Sequence, residues 1–306
     1  MKKTMLLVDA FAVIHRAFHA LPDFTAPDGT HVNVVYGFFS TFLKALREVK
    51  PAYVVVAFDL PGPTLRHEEF ADYKATRPET PALLSDQVPL VKELVESVGL
   101  PVLSAPGYEA EDLIATIITK TRGNGLDYII LTGDQDTLQL ASDQTKIYFL
   151  RRGLSDVALV DADKVKELWG VTPRQFIDLK ALRGDPSDNI PGIPGVGEKT
   201  AAELLQAHDS LEQVFAALPS LPEKYRRLLE GKKEQALANK MLVTIHDDAP
   251  VEITLDDFSW SDEHLRRALP QLTRYNMKSL IKRILEPSYA GPDNPVAKKP
   301  AQESLL

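Results

Sequence analysis

The first half of the chain contains three short apolar segments, and each of them ends at an aspartate. Uninterrupted apolar runs of this length are typical of strands that are buried on both faces, as in a parallel sheet. The predicted strands are 4–10, 53–59 and 127–134, with Asp9, Asp59 and Asp134 at their ends. Because the carboxyl ends of parallel strands meet at one edge of an open sheet, we expect these side chains to lie close together.

Segments with helical periodicity lie between the strands. This alternation favours an α/β fold with a twisted, mainly parallel sheet flanked by helices. The predicted helices of this half are 33–49, 87–98 and about 109–121, and further strands are predicted at 101–104 and 146–150.

After residue 160 the strand pattern stops, and helical segments separated by glycine or proline follow. They are predicted at 164–169, 173–182, 199–206, 211–217, 223–229, 232–242 and 262–285. We therefore predict an α/β domain at 1–160 and a helical domain at 161–285. From 286 to 306 the apolar periodicity is lost and proline, glycine, alanine and lysine dominate, which predicts a flexible tail.

Residues 60–85 form a long connection between core elements, and long connections often carry function. Prolines interrupt this segment, and basic residues alternate in it with aromatic ones: Arg66, His67, Phe70, Tyr73, Lys74 and Arg77. Such interleaving can hold single-stranded nucleic acid by charge and stacking. The alternative is a solvated helical insertion.

Six further carboxylates accompany the three at the strand ends. They are Glu109, Glu111 and Asp112 in one helical turn, Asp136 after the third strand, and Asp185 and Asp188 further on. A single acid at such a place is often a helix cap or a partner of the helix dipole. A cluster of nine is better explained by hard divalent cations, which bind oxygen ligands. We therefore expect Mg²⁺ or Mn²⁺.

The segment 184–201, GDPSDNIPGIPGVGEKTA, joins two of these carboxylates to a Gly-Val-Gly turn at a predicted helix start. Backbone N–H groups exposed by such a turn are suited to bind a phosphate. One short segment thus combines a candidate metal site with a candidate site for a nucleic-acid backbone.

Composition and charge change this picture little. The chain of 306 residues has no cysteine, which excludes disulfides, thiolate zinc sites and a cysteine nucleophile. Its net charge of −8 argues against a nucleic-acid partner. However, the nine clustered acids account for this excess, so basic surfaces can exist elsewhere. We expect neither a signal peptide nor a membrane span, because polar residues interrupt every long apolar stretch.

Five segments carry nearly all of these features: LLVDAFAVIHRAFHA at 6–20, AFDLPGPTLRHEEFADYKATRP at 57–78, GYEAEDLIAT at 107–116, LTGDQDTLQL at 131–140 and ALRGDPSDNIPGIPGVGEKTA at 181–201. Together, and in this order, they resemble the 5′-nuclease domain of bacterial DNA polymerase I, which belongs to the flap endonuclease family. The resemblance covers residues 4–285.

The resemblance implies a PIN-like flap endonuclease fold. In this fold a helical arch covers the active site, and it corresponds here to 60–85, which we call the arch segment. A helix-hairpin-helix would lie at about 175–206. The implied activity is that of a structure-specific 5′-3′ exonuclease and 5′-flap endonuclease with a two-metal mechanism. It would hydrolyse DNA phosphodiesters in replication, where RNA primers or flaps are removed, and in repair.

The resemblance also implies roles for individual residues. A first metal ion would be surrounded by Asp9, Asp59, Glu109, Glu111 and Asp112. A second would be held, partly through water, by Asp134, Asp136, Asp185 and Asp188. The arch would bring Lys74 and Arg77 to the scissile phosphate, with Arg16 near the first metal and Tyr73 placed to stack on a base. The hairpin, with a bound K⁺, would grip the duplex backbone through Gly195, Val196, Gly197 and Lys199.

Two positions depart from the family pattern. Ala10 stands where the family usually has glycine, and Glu111 stands where bacterial members often have aspartate. The longer side chain of Glu111 moves its carboxylate by one methylene group. Neither change removes an essential carboxylate.

The expected partners are DNA with 5′ flaps, nicks or 5′ ends, and RNA–DNA hybrids. We expect a monomer in the bacterial cytoplasm that associates with the nucleoid and contacts no membrane. The last five residues, QESLL at 302–306, are similar to the peptides with which bacterial replication proteins bind the sliding clamp. Gln302, Ser304, Leu305 and Leu306 carry this similarity, and the alternative is a chance ending of a linker.

Two other functional classes deserve comparison. A haloacid-dehalogenase-like phosphatase also uses Mg²⁺ and a strand-end aspartate, but it requires Asp-x-Asp, whereas Asp9 is followed by Ala10 and Phe11. A DNA-binding protein that kept the fold without catalysis would not need the complete set of acids. A metal-dependent cleavage assay on a 5′-flap substrate discriminates between these classes.

Overall fold

The computed structural model describes residues 2–286 of the chain. Six strands form one sheet in the order β3-β2-β1-β4-β5-β6. They are β1 (Lys3–Asp9), β2 (Tyr53–Ala57), β3 (Val102–Leu103), β4 (Leu126–Thr132), β5 (Thr145–Arg152) and β6 (Asp156–Val160). The first five are parallel and β6 is antiparallel to β5, which confirms the predicted mainly parallel sheet.

The edge strand β6 is absent from the prediction. Only Val160 of this strand is buried, and Leu159 is one of the exposed large apolar residues. Its sequence does contain a short apolar run, 157–160, which is followed by Asp161. The pattern that revealed the other long strands was therefore present here over four residues, and the prediction missed it.

The strand register brings the three strand-end aspartates to one edge. Val8 of β1 pairs with Val56 of β2 on one side and with Leu131 of β4 on the other. Asp9, Asp59 and Asp134 then follow within three residues of this row. The carboxyl edge of the sheet is therefore acidic, as the sequence predicts.

Helices cover both faces of the sheet. In the first half they are α1 (Ala10–Ala20), α2 (Asn33–Val49), α3 (Leu65–Glu69), α4 (Ala82–Ser85), α5 (Val88–Ser97) and α6 (Ala110–Thr121). Helices α1, α2 and α5 share an apolar core with one face, and α6 shares a core with the other face. The buried residues of β1 alternate between the two cores, which is why its sequence is apolar throughout.

The second half is helical, as predicted, and its part up to residue 258 shares the core on the α6 face. Its helices are α7 (Ala162–Trp169), α8 (Pro173–Arg183), α9 (Glu198–His208), α10 (Leu211–Ala216), α11 (Glu223–Leu229) and α12 (Lys233–Val243). Between α8 and α9 the backbone crosses itself at two glycines. A Cβ on Gly192 would lie 1.9 Å from the carbonyl oxygen of Arg183, and Gly184 has a φ of +81°. Only glycine fits this crossing, which brings the turn at 185–190 into place.

The segment 262–285 differs from its prediction. It is not one helix but a 3₁₀ turn (Asp262–Ala268) followed by α13 (Leu269–Arg274) and α14 (Lys278–Leu285). Asn276, with a φ of +56°, separates the two helices. The segment also packs on α2, where Ser279 and Arg283 hydrogen bond to Tyr36 and Ser40. The domain division at 160/161 stays a prediction.

Among residues 2–286, no helix is both long enough and apolar enough to cross a bilayer. The candidate clamp-binding peptide at 302–306, and the rest of the predicted tail after residue 286, lie outside the described residues.

Candidate metal centre

A cleft of about 1080 Å³ opens at the carboxyl edge of the sheet. Its walls come from α1, the arch segment, the first turn of α6 and the C-terminal end of α8. Six of the nine predicted carboxylates line it: Asp9, Asp59, Glu109, Glu111, Asp134 and Asp185. Chain segments that are far apart in sequence thus converge on one cavity.

Asp9 ends β1 and caps the N-terminus of α1. Its Oδ1 accepts a hydrogen bond from the N–H of Ala12 at 3.0 Å, and its Oδ2 accepts one from Oγ1 of Thr132 at 2.7 Å. Burial, together with the charge of Asp59, raises its pKa to about 7. The carboxylate is therefore fixed in position but unfavourable as an anion, which a nearby cation would relieve.

Further acids lie where the end of β2 meets the first turn of α6. Asp59 accepts the first N–H of α6 at 2.7 Å, which holds this helix against the end of β2. Burial raises the pKa of Asp59, and burial and the charge of Glu109 raise that of Glu111. Glu109 behaves in the opposite way: burial opposes its ionisation, but Lys74 and Arg66 outweigh it and lower its pKa to about 2.

Asp136, Asp185 and Asp188 form a second group. One oxygen from each of them lies within 4.8 Å of the others. Asp185 also caps the 3₁₀ turn Pro186–Asp188, since it accepts the N–H of Ser187 at 2.9 Å. The turn therefore fixes the three-residue spacing of its two carboxylates.

Thr132 connects the two groups of acids. Its hydroxyl donates to Asp9 and accepts the N–H of Asp134 at 2.9 Å. Asp134 in turn accepts the N–H of Asp136 at 2.8 Å and so begins the 3₁₀ turn Gln135–Leu140. Burial raises the pKa of Asp134. The two predicted ligand groups thus share one hydrogen-bonded chain.

Lys180 of α8 lies among these acids, and the sequence analysis did not name it. It is only 2% exposed and forms ion pairs with Asp136 and with Asp185, the latter at 2.5 Å. Burial opposes ionisation of Asp185, but Lys180 outweighs it and lowers the pKa of this carboxyl to about 2. No signal in the sequence pointed to it, because neighbouring residues on a helix point in different directions and a lysine beside the buried Leu179 is usually exposed.

The donor set fits hard divalent cations. All of its ligand atoms are carboxylate oxygens, which Mg²⁺ and Mn²⁺ prefer. Burial raises the pKa of four of the carboxyls, so they gain most from a neighbouring positive charge: Asp9, Asp59, Glu111 and Asp134.

The arch segment folds over this cleft. Nζ of Lys74 lies 2.6 Å from Oε1 of Glu109, and Nη2 of Arg77 lies 2.5 Å from Oδ1 of Asp188. Arg16, on α1, lines the same cleft and donates to the carbonyl of Leu150 at 2.9 Å. The three predicted cationic residues therefore lie beside the acids.

Tyr73 is placed differently from its predicted role. The residue is 3% exposed, and its hydroxyl donates to Glu109 at 3.2 Å and to Asp188 at 3.1 Å. Its ring also meets the ring of His67 edge-on. In this conformation the ring offers no face to a base, so the described structure does not fit the stacking role.

Asp112 is also placed differently from its prediction. It is fully buried, and its two oxygens accept four hydrogen bonds, from two nitrogens of Arg66 and from the N–H groups of Glu109 and His246. Its oxygens thus neither line the cleft nor join the group formed by Asp136, Asp185 and Asp188. The role of Arg66 was missed, because its partners are 43 to 178 positions away in sequence.

The predicted hairpin lies between α8 and α9, beside the cleft. Arg183 lines the cleft and pairs with Glu198 of α9 at 2.6 Å. Gly195 has a φ of +82°, and Val196 is buried, whereas Gly197 and Lys199 are exposed. The hairpin thus presents a glycine and one lysine to solvent beside the acidic cavity.

Two family models match the chain. The 5′-3′ exonuclease N-terminal resolvase-like domain matches residues 4–170, and the 5′-3′ exonuclease C-terminal SAM fold matches residues 171–265. The chain belongs to the 5′-3′ exonuclease family.

Curated relatives agree with this membership. DNA polymerase I of Bacillus caldotenax is 38% identical over 299 residues, which cover 97% of this chain and 34% of the relative. DNA polymerase I of Bacillus subtilis (strain 168) is 38% identical over 288 residues, which cover 94% of this chain and 33% of the relative. The chain therefore spans about a third of the length of the curated relatives it matches.

Solved structures share the fold. The T5 5′-exonuclease with bound divalent metal ions (zinc) superposes with a TM-score of 0.66 and 21% identity, covering 93% of this chain and 99% of the other. The catalytic core of Rad2 in complex with DNA substrate superposes with a TM-score of 0.55 and 20% identity, covering 94% and 92%. The flap endonuclease fold predicted from the sequence is thus confirmed.

Proposed function

We propose that this chain is a divalent-metal-dependent nuclease that acts as a 5′-3′ exonuclease and 5′-flap endonuclease on DNA. One observation carries the proposal: six carboxylates from separate chain segments line one cleft, and two more, Asp136 and Asp188, group with Asp185 at its wall. Basic residues of the arch segment pair with acids of both groups. The family membership supports it, as do the metal-bound and DNA-bound relatives of the same fold.

Two sets of residues would hold the metal ions, Mg²⁺ or Mn²⁺. The first is Asp9, Asp59, Glu109 and Glu111, and the second is Asp134, Asp136, Asp185 and Asp188. When bound, such ions supply a hydroxide near neutral pH and stabilise the leaving oxygen of a phosphodiester. Thr132 fixes Asp9 relative to Asp134, so the protein itself sets the positions of the two carboxylate groups.

The basic residues of the cleft would act on the phosphate. Lys74 and Arg77 lie on the arch segment with their charged groups at the acids, where a substrate phosphate would lie. They would stabilise the negative charge that develops on the phosphate oxygens in the transition state. Arg16 would orient the phosphate from α1. Lys180 would hold Asp136 and Asp185 in place through its two ion pairs.

The hairpin would hold the duplex. Its exposed Gly197 and Lys199 are suited to approach backbone phosphates closely, with K⁺ as an additional ion at the turn. Affinity for DNA should then fall as the salt concentration rises. A plot of log affinity against log salt concentration should have a slope of about −0.9 for each phosphate neutralised. The substrates would be 5′ flaps, nicks and 5′ ends, including RNA–DNA hybrids, in replication and repair.

A cleavage assay tests the proposal. A DNA with a labelled 5′ flap is incubated with the chain in Mg²⁺, Mn²⁺, Ca²⁺ or EDTA. We expect cleavage in Mg²⁺ and Mn²⁺ only, and a loss of at least about 100-fold in Asp185→Asn. Asp127→Asn is the matched control, because Asp127 is a half-exposed aspartate that pairs with Lys2 and does not line the cleft.

The outcomes separate the functional classes. Tight, structure-specific binding without cleavage would make the chain a DNA-binding protein and would refute the nuclease proposal. Hydrolysis of small phosphate monoesters with a covalent intermediate on Asp9 would indicate a phosphatase, which the hydrogen bonds to both oxygens of Asp9 disfavour.

A further inference from the structure

Arg66 of α3 is a buried arginine whose donors are all used. It is 3% exposed, and its Nε donates to the carbonyl of Leu242 at 3.0 Å. Nη1 donates to Glu109 at 3.1 Å and to Asp112 at 2.9 Å, and Nη2 donates to Asp112 at 2.7 Å and to the carbonyl of Thr244 at 3.0 Å. These contacts account for the five N–H groups of a guanidinium.

Asp112 is the matching acceptor. Its Oδ1 takes Nη2 of Arg66 and the N–H of His246, the latter at 2.8 Å. Its Oδ2 takes Nη1 of Arg66 and the N–H of Glu109, the latter at 2.9 Å. A carboxylate offers about four acceptor positions, and all of them are in use. To bind a metal ion, Asp112 would have to give up a buried hydrogen bond.

The pair joins three parts of the molecule. Arg66 lies at the base of the arch segment, Asp112 lies on α6 beside Glu109, and the carbonyls of Leu242 and Thr244 belong to the end of α12 in the helical half. A bidentate arginine–carboxylate pair is rigid, because two parallel hydrogen bonds fix the relative orientation of both planes. Movement of any of the three parts therefore strains the pair.

We propose that Asp112 is a positioning residue rather than a metal ligand, and that with Arg66 it forms a clamp that orients Glu109 and fixes the arch base to the end of α12. The inference rests on the proposed metal centre and deepens it, since it assigns the ligand role to eight carboxylates instead of nine. The clamp contacts Glu109 twice, through its side chain and through its backbone N–H.

The clamp gives a definite expectation for Mn²⁺ binding to the full chain. In either orientation, the amide of Asp112→Asn would turn a donor toward Arg66 and toward one backbone N–H, that of Glu109 or that of His246. The pair with Arg66 is then broken, so Glu109 should lose its orientation. Loss of a residue that orients a metal ligand typically weakens metal binding 10- to 100-fold. We therefore expect calorimetry or Mn²⁺ electron paramagnetic resonance to show about 10-fold weaker binding, with an unchanged number of ions.

A double-mutant cycle separates positioning from ligation. If Asp112 acts through Glu109, then Asp112→Asn should weaken Mn²⁺ binding no further in a Glu109→Gln background. If Asp112 contacts the ion itself, the two losses should add, and the proposal would be overturned. A purely structural role would not produce this coupling.

Arg66→Lys provides a second test, which also serves if Asp112→Asn does not fold. A lysine keeps the charge but cannot make the paired hydrogen bonds. The clamp predicts weaker Mn²⁺ binding and faster exchange of the Glu109 and His246 amide hydrogens. If Asp112 were itself a metal ligand, Arg66→Lys would release it, and the variant would bind Mn²⁺ as tightly as the wild type or more tightly. Either result would overturn the proposal.

Arg283→Lys is the matched control. Arg283 is also a buried arginine, 8% exposed, but it donates hydrogen bonds to Ser40 of α2 and does not line the cleft. The substitution should lower stability without changing Mn²⁺ affinity. An equal loss of Mn²⁺ affinity in this control would show that the effect is general destabilisation and would overturn the clamp. If the wild type binds no Mn²⁺, the proposed function fails, while the amide exchange still tests the clamp.

Discussion

Lys74 reaches Glu109 from a left-handed backbone conformation. Its φ is +57°, its Nζ lies 2.6 Å from Oε1 of Glu109, and its own N–H donates to the carbonyl of Asp188 at 3.0 Å. A residue other than glycine adopts this conformation at a cost of about 1–2 kcal/mol. The ion pair with Glu109 and the hydrogen bond to the carbonyl of Asp188 offset this strain. The side chain and the backbone of Lys74 thus both fix the arch segment over the cleft.

Lys74→Ala should reduce the rate of the chemical step far more than substrate affinity. The variant loses the positive charge near the phosphate but keeps the backbone hydrogen bond to Asp188 that holds the arch segment, so we expect the loss mainly in the transition state. We expect a single-turnover rate on a 5′-flap substrate that is lower by about 100-fold or more. Lys146→Ala, in a separate groove, serves as the control. An unchanged single-turnover rate with a large loss in affinity would show that Lys74 only anchors the substrate.

Stability in EDTA should fall as the pH rises. The pKa of Asp9 is about 7 in the folded chain against its ordinary 3.8, so the folded state holds an extra proton between about pH 4 and pH 7. By linkage, the free energy of unfolding decreases through this window, by on the order of 4 kcal/mol at most. Chemical denaturation at pH 5 and pH 8 measures this. Asp9→Asn should flatten the profile, and a profile that is equally steep in this variant would contradict the assignment.

Lys180→Met should destabilise the chain, and Mn²⁺ should partly restore its stability. The variant leaves Asp136 and Asp185 without their buried cation, which typically costs about 3–5 kcal/mol. A divalent ion at the same carboxylates would supply the missing charge. The measurement is the midpoint of thermal unfolding in EDTA and in Mn²⁺.

Lys240→Met is the control for this prediction, because it removes a lysine from another buried aspartate, Asp178, in the helical half. Its loss of stability should not respond to Mn²⁺ beyond the wild-type response. If both variants were restored equally, the metal would not be acting through Asp136 and Asp185.

The two glycines of the hairpin should respond differently to alanine. Gly195 has a φ of +82°, and a Cβ there would lie 2.8 Å from Leu228, so Gly195→Ala should lower stability. Gly197 has a φ of −89°, and a Cβ there would meet nothing within 4 Å. Gly197→Ala should therefore fold normally but bind DNA more weakly, since the methyl group would block close approach of a phosphate. Anisotropy with labelled duplex in Ca²⁺ measures this, and wild-type affinity would exclude the hairpin from the interface.

The sequence analysis correctly predicted the strands that are buried on both faces and the helices with a regular apolar face. The strands β1, β2 and β4 lie between two apolar layers, so their sequences are apolar throughout, and α2 has a complete amphipathic period. The edge strand β6 also has an apolar run, but the run is short and only its last residue is buried, and the strand was not predicted. The two helices within 262–285 were merged, because their apolar positions all face the same core.

The site was predictable where a short motif carries the chemistry and not where distant residues meet. The acids lie in motifs, whereas Lys180 and Arg66 look like ordinary surface cations until the helices that carry them are packed together. Asp112 is the opposite case, since its motif predicts a metal ligand, whereas its oxygens accept hydrogen bonds from residues as far away as His246. Burial and hydrogen-bond partners decide such cases, and neither can be read from spacing alone.

The spread of the acids along the chain also governs when the site can exist during synthesis. They extend from Asp9 to Asp188, and the second group requires α8 with its Lys180. A ribosome adds about 5–20 residues per second and domains fold in order from the N-terminus, so the sheet can form well before the later acids emerge. The proposed nuclease is therefore incomplete while it is being translated, and a chain that ends early would leave nearby nucleic acids intact.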